Sequence, residues 1–135
     1  MVEAGAILNT LLSQAAPVVA LLGYVDKDHQ QQVRIYPVVA PQKTPRPYCT
    51  YQLVSLVPEA GSSAVCRLGD VGRVQLSLYA DAYDTLAALT TAVRGALDYA
   101  EPEPGVFLEP DNQQDHHDKD AVCLFRSLDY LVELP

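Results

Sequence analysis

The sequence predicts an α+β fold in which a mostly antiparallel sheet carries two main helices packed on one of its faces. Three observations predict it. One apolar stripe with helical spacing opens the chain, a second lies between residues 81 and 97, and most other apolar residues alternate with polar ones as in strands. The resulting order α, β, β, β, α, β, β is typical of this class. At 135 residues we expect one domain, residues 1–135.

The first helix is predicted between residues 4 and 15, where apolar side chains recur every three or four positions. Pro17 should stop or restart it, because proline lacks a backbone donor and clashes with the preceding turn. Residues 26–32 are polar and predict an exposed connection. A short strand is expected at residues 33–36.

Four prolines between residues 37 and 47 predict an extended connector, since proline cannot donate to a strand ladder. A long strand is predicted at residues 48–57, and a loop at residues 58–69. Residues 71–80 show the clearest alternation, with one apolar face that should be buried. The opposite face of this strand should meet solvent or a neighbour, and it carries Arg73, Gln75, Ser77 and Tyr79.

The second main helix has an apolar stripe made by Leu86, Leu89, Val93 and Leu97. Asp81 is predicted to cap its N-terminus, because a carboxylate accepts hydrogen bonds from the free amides of the first turn. The helix should end at residues 101–105, which alternate Glu and Pro before a glycine. Residues 106–108 open another strand, residues 111–120 are predicted to be a polar turn, and residues 121–134 form a final central strand.

Charge placement disfavours nucleic-acid binding. The net charge is −8, and residues 98–120 hold eight acidic side chains and one lysine. The nine Lys and Arg residues are scattered, whereas tight binding of nucleic acid needs several clustered cations. No apolar run reaches the roughly 18 residues of a membrane span, and no basic N-terminal region precedes an apolar one. We therefore expect a soluble, non-exported protein with reduced thiols at Cys49, Cys66 and Cys123.

The sequence contains no recognisable catalytic motif: it has no phosphate-binding glycine loop, no nucleophile elbow and no Cys-x-x-Cys pair. We predict no catalytic residue, cofactor or metal. One cluster keeps an alternative open, because Asp115, His116 and Asp118 are residue types that bind metals in phosphoesterases. Such enzymes need further ligands from other strands, so a solvated hairpin loop is the favoured interpretation of this segment.

Three segments carry a family resemblance through their order and spacing. They are Arg34-Ile35-Tyr36-Pro37, then Pro47-Tyr48-Cys49-Thr50-Tyr51-Gln52, then Arg73-Val74-Gln75-Leu76-Ser77-Leu78-Tyr79 leading into a Tyr-bearing helix. This succession resembles the tail-completion, or tail-terminator, proteins of the head–tail neck in long non-contractile-tailed phages and prophages. The resemblance covers most of the chain.

The resemblance implies a non-enzymatic subunit that caps the tail tube as a ring of six copies, ends tail elongation and offers a surface for head attachment. The implied partners are other copies of the chain, the major tail-tube protein and a head-side connector protein. The subunit is expected to stay monomeric before assembly. DNA is expected to pass through the ring without specific binding, and no membrane is involved. The implied locations are the virion tail neck and, during assembly, the host cytoplasm. A head–tail connector or a tail-assembly adaptor remains the alternative.

Ring formation requires one surface of each subunit to meet a different surface of the next. We predict that the polar strand face formed by Arg73, Gln75, Ser77 and Tyr79 supplies one such surface. Two further segments are predicted to touch partners at the ring's rim. The residues concerned are Pro41, Gln42 and Arg46 in the proline-rich connector, and Asp115 and Asp118 in the acidic turn.

Overall fold

A computed structural model describes residues 3–60, 67–120 and 123–135. The helices in these ranges are α1 (Ala4–Gln14), α2 (Ala16–Leu22) and α3 (Tyr83–Leu97). The strands are β1 (Gly23–Val25), β2 (Gln31–Val33), β3 (Ile35–Pro37), β4 (Tyr48–Ala60), β5 (Arg67–Ala80), β6 (Phe107–Asp118) and β7 (Cys123–Leu134).

The main sheet has five strands in the order β3-β4-β5-β7-β6, and β1 and β2 form a separate two-stranded hairpin. Only the β3–β4 pair is parallel; the other three pairs of the main sheet are antiparallel. The predicted α+β class is therefore confirmed. The predicted order lacked α2, β1 and the separation of β2 from β3.

We predicted that Pro17 would either stop the first helix or restart it, and in the structure a new helix begins there. Pro17 lies in the first turn of α2, where its missing donor costs nothing, and the axes of α1 and α2 meet at 87°. Among the described residues, no single helix is long and apolar enough to cross a membrane. The α1–α2 pair meets that criterion only when its two bent halves are taken together.

The core lies between the helices and one face of the sheet. On β5 the alternating residues Val74, Leu76, Leu78 and Ala80 are buried, as predicted. On β7 Leu128, Tyr130 and Val132 extend the same face. The helices contribute their predicted stripes, Leu8 and Leu12 from α1 and the four apolar residues of α3. The central position of β7, between β5 and β6, is also as predicted.

The polar turn predicted at residues 111–120 is wrong, because most of it is strand β6. This strand pairs antiparallel with β7 from Phe107 to Asp118, with a β-bulge after Pro110. In β6, Leu108 is buried in the core, whereas residues 111–115 are all exposed. An edge strand with so little buried surface carries no apolar alternation, so its sequence looks like a turn.

The loop predicted at residues 58–69 is also too long. Strand β4 continues to Ala60 and β5 begins at Arg67, while residues 61–66, including Cys66, lie outside the described residues. Pro58 is part of β4, which is an edge strand at this position and tolerates the missing donor.

The strand predicted at residues 33–36 is divided at Arg34. The Arg34 amide donates to the Leu22 carbonyl at 3.0 Å, and its own carbonyl accepts from the Cys49 amide at 2.9 Å. The predicted cap of the second main helix is wrong as well. Ala82 occupies the N-cap position, and Asp81 pairs instead with Arg46, with 2.5 Å between Nε and Oδ1.

Candidate interaction surface

The helices cover one face of the five-stranded sheet, and we call the other face the open face. The four residues predicted on the polar side of β5 all lie there: Arg73, Gln75, Ser77 and Tyr79 are half-buried, between fully buried neighbours that point to the core. Their side chains stand in cross-strand rows with residues of β4, β7 and β6. The prediction that these four share one face is confirmed; their contact with a partner remains a prediction.

A row of stacked rings crosses one end of the open face. Tyr48, Tyr79, Phe125 and His116 occupy adjacent positions on β4, β5, β7 and β6. Successive ring centroids lie 4.6, 5.1 and 4.6 Å apart, with planes within 22° of parallel. Burial raises the pKa of Tyr48 and of Tyr79, so both stay neutral hydrogen-bond donors. Cross-strand aromatic pairs stiffen a sheet and leave a flat apolar surface.

The middle of the open face is polar and incompletely satisfied. Arg73 forms an ion pair with Asp111, which raises the pKa of its guanidinium, and lies 3.8 Å from Asp129. The Asp129 side chain is only 16% exposed, and its Oδ1 atom is buried without a hydrogen-bond partner among the residues that the structure describes. A buried acceptor without a donor is rare in folded proteins. The centre of the open face therefore holds a carboxylate that is only partly satisfied.

The second half of β4 forms an exposed edge of the main sheet, which we call the arm and define by residues 52–58. Its β5 partners lie inside the sheet, because they pair with β7 on their other side. All seven of these β4 residues are exposed. The large apolar side chains among them are Leu53 (44% exposed), Val54 (49%), Leu56 (47%) and Val57 (57%). A bulge at Val54 shifts the register, so that apolar side chains project from both faces of the arm.

The outer edge of the arm is unpaired among the described residues. Strand β3 pairs with β4 only up to Tyr51, whose carbonyl accepts from the Val38 amide at 2.8 Å. Beside this edge lies an apolar groove of about 480 Å³, lined by residues of α1, the β3–β4 connector and the arm, Gly5, Val38, Tyr51, Leu53 and Leu56 among them. Sequence reasoning placed residues 52–57 in a strand but missed that they form an exposed edge, because the sequence does not show where the pairing with β3 ends.

Asp115 was predicted at a rim turn, and the structure places it elsewhere. It lies on the helix side of β6, where it binds the nearly buried Arg126 through two contacts of 2.5 and 3.2 Å. The Arg126 guanidinium also donates to Thr90 at 3.0 Å and to Tyr83 at 3.1 Å. Hydrogen bonding to Arg126 lowers the pKa of Asp115. This ion pair fastens β6 and β7 to α3.

The other predicted rim residues lie apart from Asp115. Pro41 and Gln42 are exposed in the connector, as predicted. Arg46, at its end, is held by Asp81. Asp118 lies at the last position of β6, opposite Cys123, and its Oδ1 accepts from the Asp120 amide at 3.0 Å.

The arrangement of β6 does not favour the phosphoesterase alternative. Successive side chains of a strand point to opposite faces, so Asp115 faces α3 while His116 stacks on Phe125 on the open face. His116 Nε2 lies 3.1 Å from Ser127 Oγ. Within the described ranges, no three His, Cys, Asp or Glu side chains converge as a metal site requires. Cys49 and Cys123 are buried free thiols.

Comparisons with known proteins place this surface in context. A model of the family described as "Tail completion protein gp17" matches residues 6–127. No curated protein sequence matches the chain significantly. Among solved structures, a chain from the structure titled "Virion of native gene transfer agent (GTA) particle" superposes with a TM-score of 0.68 over 98% of each chain. The two sequences are 20% identical, so this likeness concerns the fold.

Proposed function

This chain belongs to the tail completion protein gp17 family, and from that premise we propose that its copies form a ring that caps the tail tube. The ring ends tail elongation and provides the surface for head attachment. It contains six subunits, which remain monomeric until the tube is present. The partners are the major tail-tube protein and a head-side connector protein. The subunit has no catalytic activity and no cofactor; it assembles in the host cytoplasm and resides in the virion neck.

The exposed apolar strand of the arm is the observation that carries this proposal. Soluble monomers rarely leave long apolar edge strands in solvent, because such strands pair with other chains. This edge carries neither a lysine nor any other charge between residues 52 and 58. An assembly that covers the arm explains why so apolar an edge is retained with only Pro58 and the bulge at Val54 to limit its pairing.

The open face supplies a second contact surface. Its centre has the polar row of β5 with Arg73, and its Asp129 carboxylate has an oxygen without a partner. Interfaces typically combine rigid aromatic groups with hydrogen-bonding groups at a polar rim, and the stacked rings beside this row fit that composition. We assign Arg73, Gln75, Ser77 and Tyr79 to contacts between subunits or with the tube. Pro41, Gln42, Arg46 and Asp118 are assigned to the rim; Asp115 acts there by holding β6 in place.

The acidic segment faces the path of the DNA in this proposal. Asp118 and Asp120 lie at one end of β6, and Glu109 is exposed near the other. Like charge keeps DNA from adhering to the ring as it passes. Replacing these three residues with lysine should slow DNA ejection from the tails that assemble. An unchanged rate of DNA ejection would refute the idea that the acidic residues keep DNA from adhering to the ring.

Electron microscopy of polymerising tube protein tests the main proposal. With the purified chain added, tubes should stop growing and show a ring at one end. The variant Ser77→Arg, on the open face, should cap poorly, whereas Thr91→Arg, on the exposed side of α3, should cap like the unchanged chain. Tubes that grow to unrestricted length with the unchanged chain present would refute termination. Binding to the head-side connector alone would identify an adaptor instead.

A further inference from the structure

In the part of the chain that the structure describes, two long stretches on opposite sides of the main sheet lack a strand partner, and they differ in chemistry. One is the arm edge, residues 52–58 of β4, which is apolar and uncharged. The other is the outer edge of β6, which has no strand partner among the described residues from about Glu109 to His117. Before Glu109, the Leu108 amide already donates to the Ala100 carbonyl at 3.0 Å. The strand order places these edges on opposite sides of the sheet.

We propose that the arm edge of one subunit pairs with the β6 edge of the next, so that the main sheet continues from subunit to subunit around the ring. This inference rests on the ring proposed above and names the surfaces that close it. A ring needs a heterologous contact between two unlike patches of the same chain. The two free edges meet that requirement, and their opposite positions allow each subunit to use both edges at once.

Charge selects this pairing over one alternative. Strand β6 carries Glu109, Asp111, Asp115 and Asp118, so two β6 edges placed together would set carboxylates against carboxylates. Like charges opposite each other destabilise a strand pair. The uncharged arm edge offers no such repulsion. Two arms pairing with each other would form a closed twofold dimer, which consumes the edge and cannot continue into a ring.

The groove beside the arm gives the added strand a place for its side chains. A strand joined to an exposed edge gains main-chain hydrogen bonds, and its alternate side chains enter whatever pocket lies beside the edge. The groove opens on the α1 side, where Gly5 and Leu56 line it. On the other face, Val57 lies in the same cross-strand row as Val71, Glu133 and the exposed Phe107 of β6. Apolar surface thus flanks the arm edge on both sides.

A charge-sign experiment tests the pairing on capped tail tubes. The double variant Leu56→Asp/Val57→Asp brings negative charge against the acidic β6 edge, whereas Leu56→Lys/Val57→Lys brings positive charge. The concentration needed to cap half of the tube ends should be about tenfold higher for the Asp variant than for the Lys variant, from two reversed cross-strand pairs. Adding Glu109→Lys/Gln113→Lys, one substitution on each face of β6, should restore capping of the Asp variant, because each face then regains opposite charges.

Matched controls separate folding from assembly. Val25→Asp/Thr91→Asp changes two exposed residues away from both edges, on β1 and on the outer side of α3, and should cap like the unchanged chain. All variants should show the unchanged circular dichroism spectrum and urea midpoint within error.

The outcomes distinguish which partner pairs with the arm edge. Equal loss in the Asp and Lys variants without rescue would overturn the proposal in favour of arm–arm pairing. Loss that depends on the sign of the arm charge, yet ignores the β6 substitutions, would overturn it in favour of a tube-protein contact. Unchanged capping by every variant would exclude the edges while leaving the ring intact. Failure of the unchanged chain to cap any tube would instead refute the proposed function.

Discussion

The ion pair of Arg126 with Asp115 should respond unequally to removal of its two members. The Arg126 side chain is 7% exposed and the Asp115 side chain 53% exposed. We predict that Asp115→Ala destabilises the protein more than Arg126→Met, although Arg126 makes more contacts. The reason is what each substitution leaves behind in the folded state.

Arg126→Met leaves no polar group stranded. Thr90 keeps its hydrogen bond to the Leu86 carbonyl at 2.8 Å, and both Tyr83 and Asp115 are exposed enough to regain water. The unbranched Met side chain occupies much of the same volume. Replacement of buried ion pairs by apolar groups of similar size is often nearly neutral, so we expect a change within about 1 kcal/mol.

Asp115→Ala leaves the buried guanidinium with only its Thr90 and Tyr83 contacts. Removing one partner from a fully buried pair costs roughly 3–5 kcal/mol. Water reaches Asp115, so screening reduces this cost, and we expect about 1–2 kcal/mol. The exposed Glu101→Ala is the control, with an expected change below about 0.5 kcal/mol.

Urea unfolding followed by circular dichroism at pH 7 measures all three variants. The pH dependence adds a second readout. Arg126 lowers the pKa of Asp115 in the folded state below the ordinary value of 3.8, so this stabilisation is fully present above that value. It is lost as the pH falls through the folded pKa, and the gap between the unchanged chain and Asp115→Ala should narrow there. A cost for Arg126→Met that exceeds the cost for Asp115→Ala would refute the reasoning.

Two further predictions concern backbone conformation and thiol reactivity. Gly95→Ala should stabilise α3 by about 0.5–1 kcal/mol in thermal unfolding, because a Cβ atom there meets nothing within 4 Å. Gly69→Ala should destabilise by more than that amount, since φ is +128° and the new Cβ would lie 2.2 Å from the Leu134 carbonyl oxygen. A loss at Gly95 or a neutral result at Gly69 would contradict these assignments. Burial raises the pKa of the Cys49 thiol to about 12. In a Cys66→Ser/Cys123→Ser variant, iodoacetamide at pH 8 should therefore label the folded protein on the order of a thousandfold more slowly than the urea-unfolded chain, and equal rates would show that Cys49 is accessible.

The resemblance seen in the sequence is confirmed at the level of the family, because the family match spans residues 6–127. The signal lay in the order of three strand segments and not in a reactive motif. The predicted ring, its six copies and the residues that contact the tube remain predictions.

The sequence by itself determined the elements that bury a face. The stripes of α1 and α3 and the alternation of β5 follow from side-chain spacing, since a residue pattern with the period of its element can put all its apolar groups on one side. Strand β7 was recognisable as central for a related reason, because apolar residues lie on both of its faces.

Only the tertiary structure decided the elements whose state depends on a distant partner. Strand β6 has few apolar residues. It is stabilised by its hydrogen-bonded pairing with β7 and by the ion pair between Arg126 and Asp115. The arm is an exposed edge because β4 continues along β5 past the point where its pairing with β3 ends. Asp81 is drawn from the helix cap to Arg46, which lies 35 residues earlier in the chain. Such non-local pairings leave no periodic trace in the sequence, and they create both free edges of the sheet.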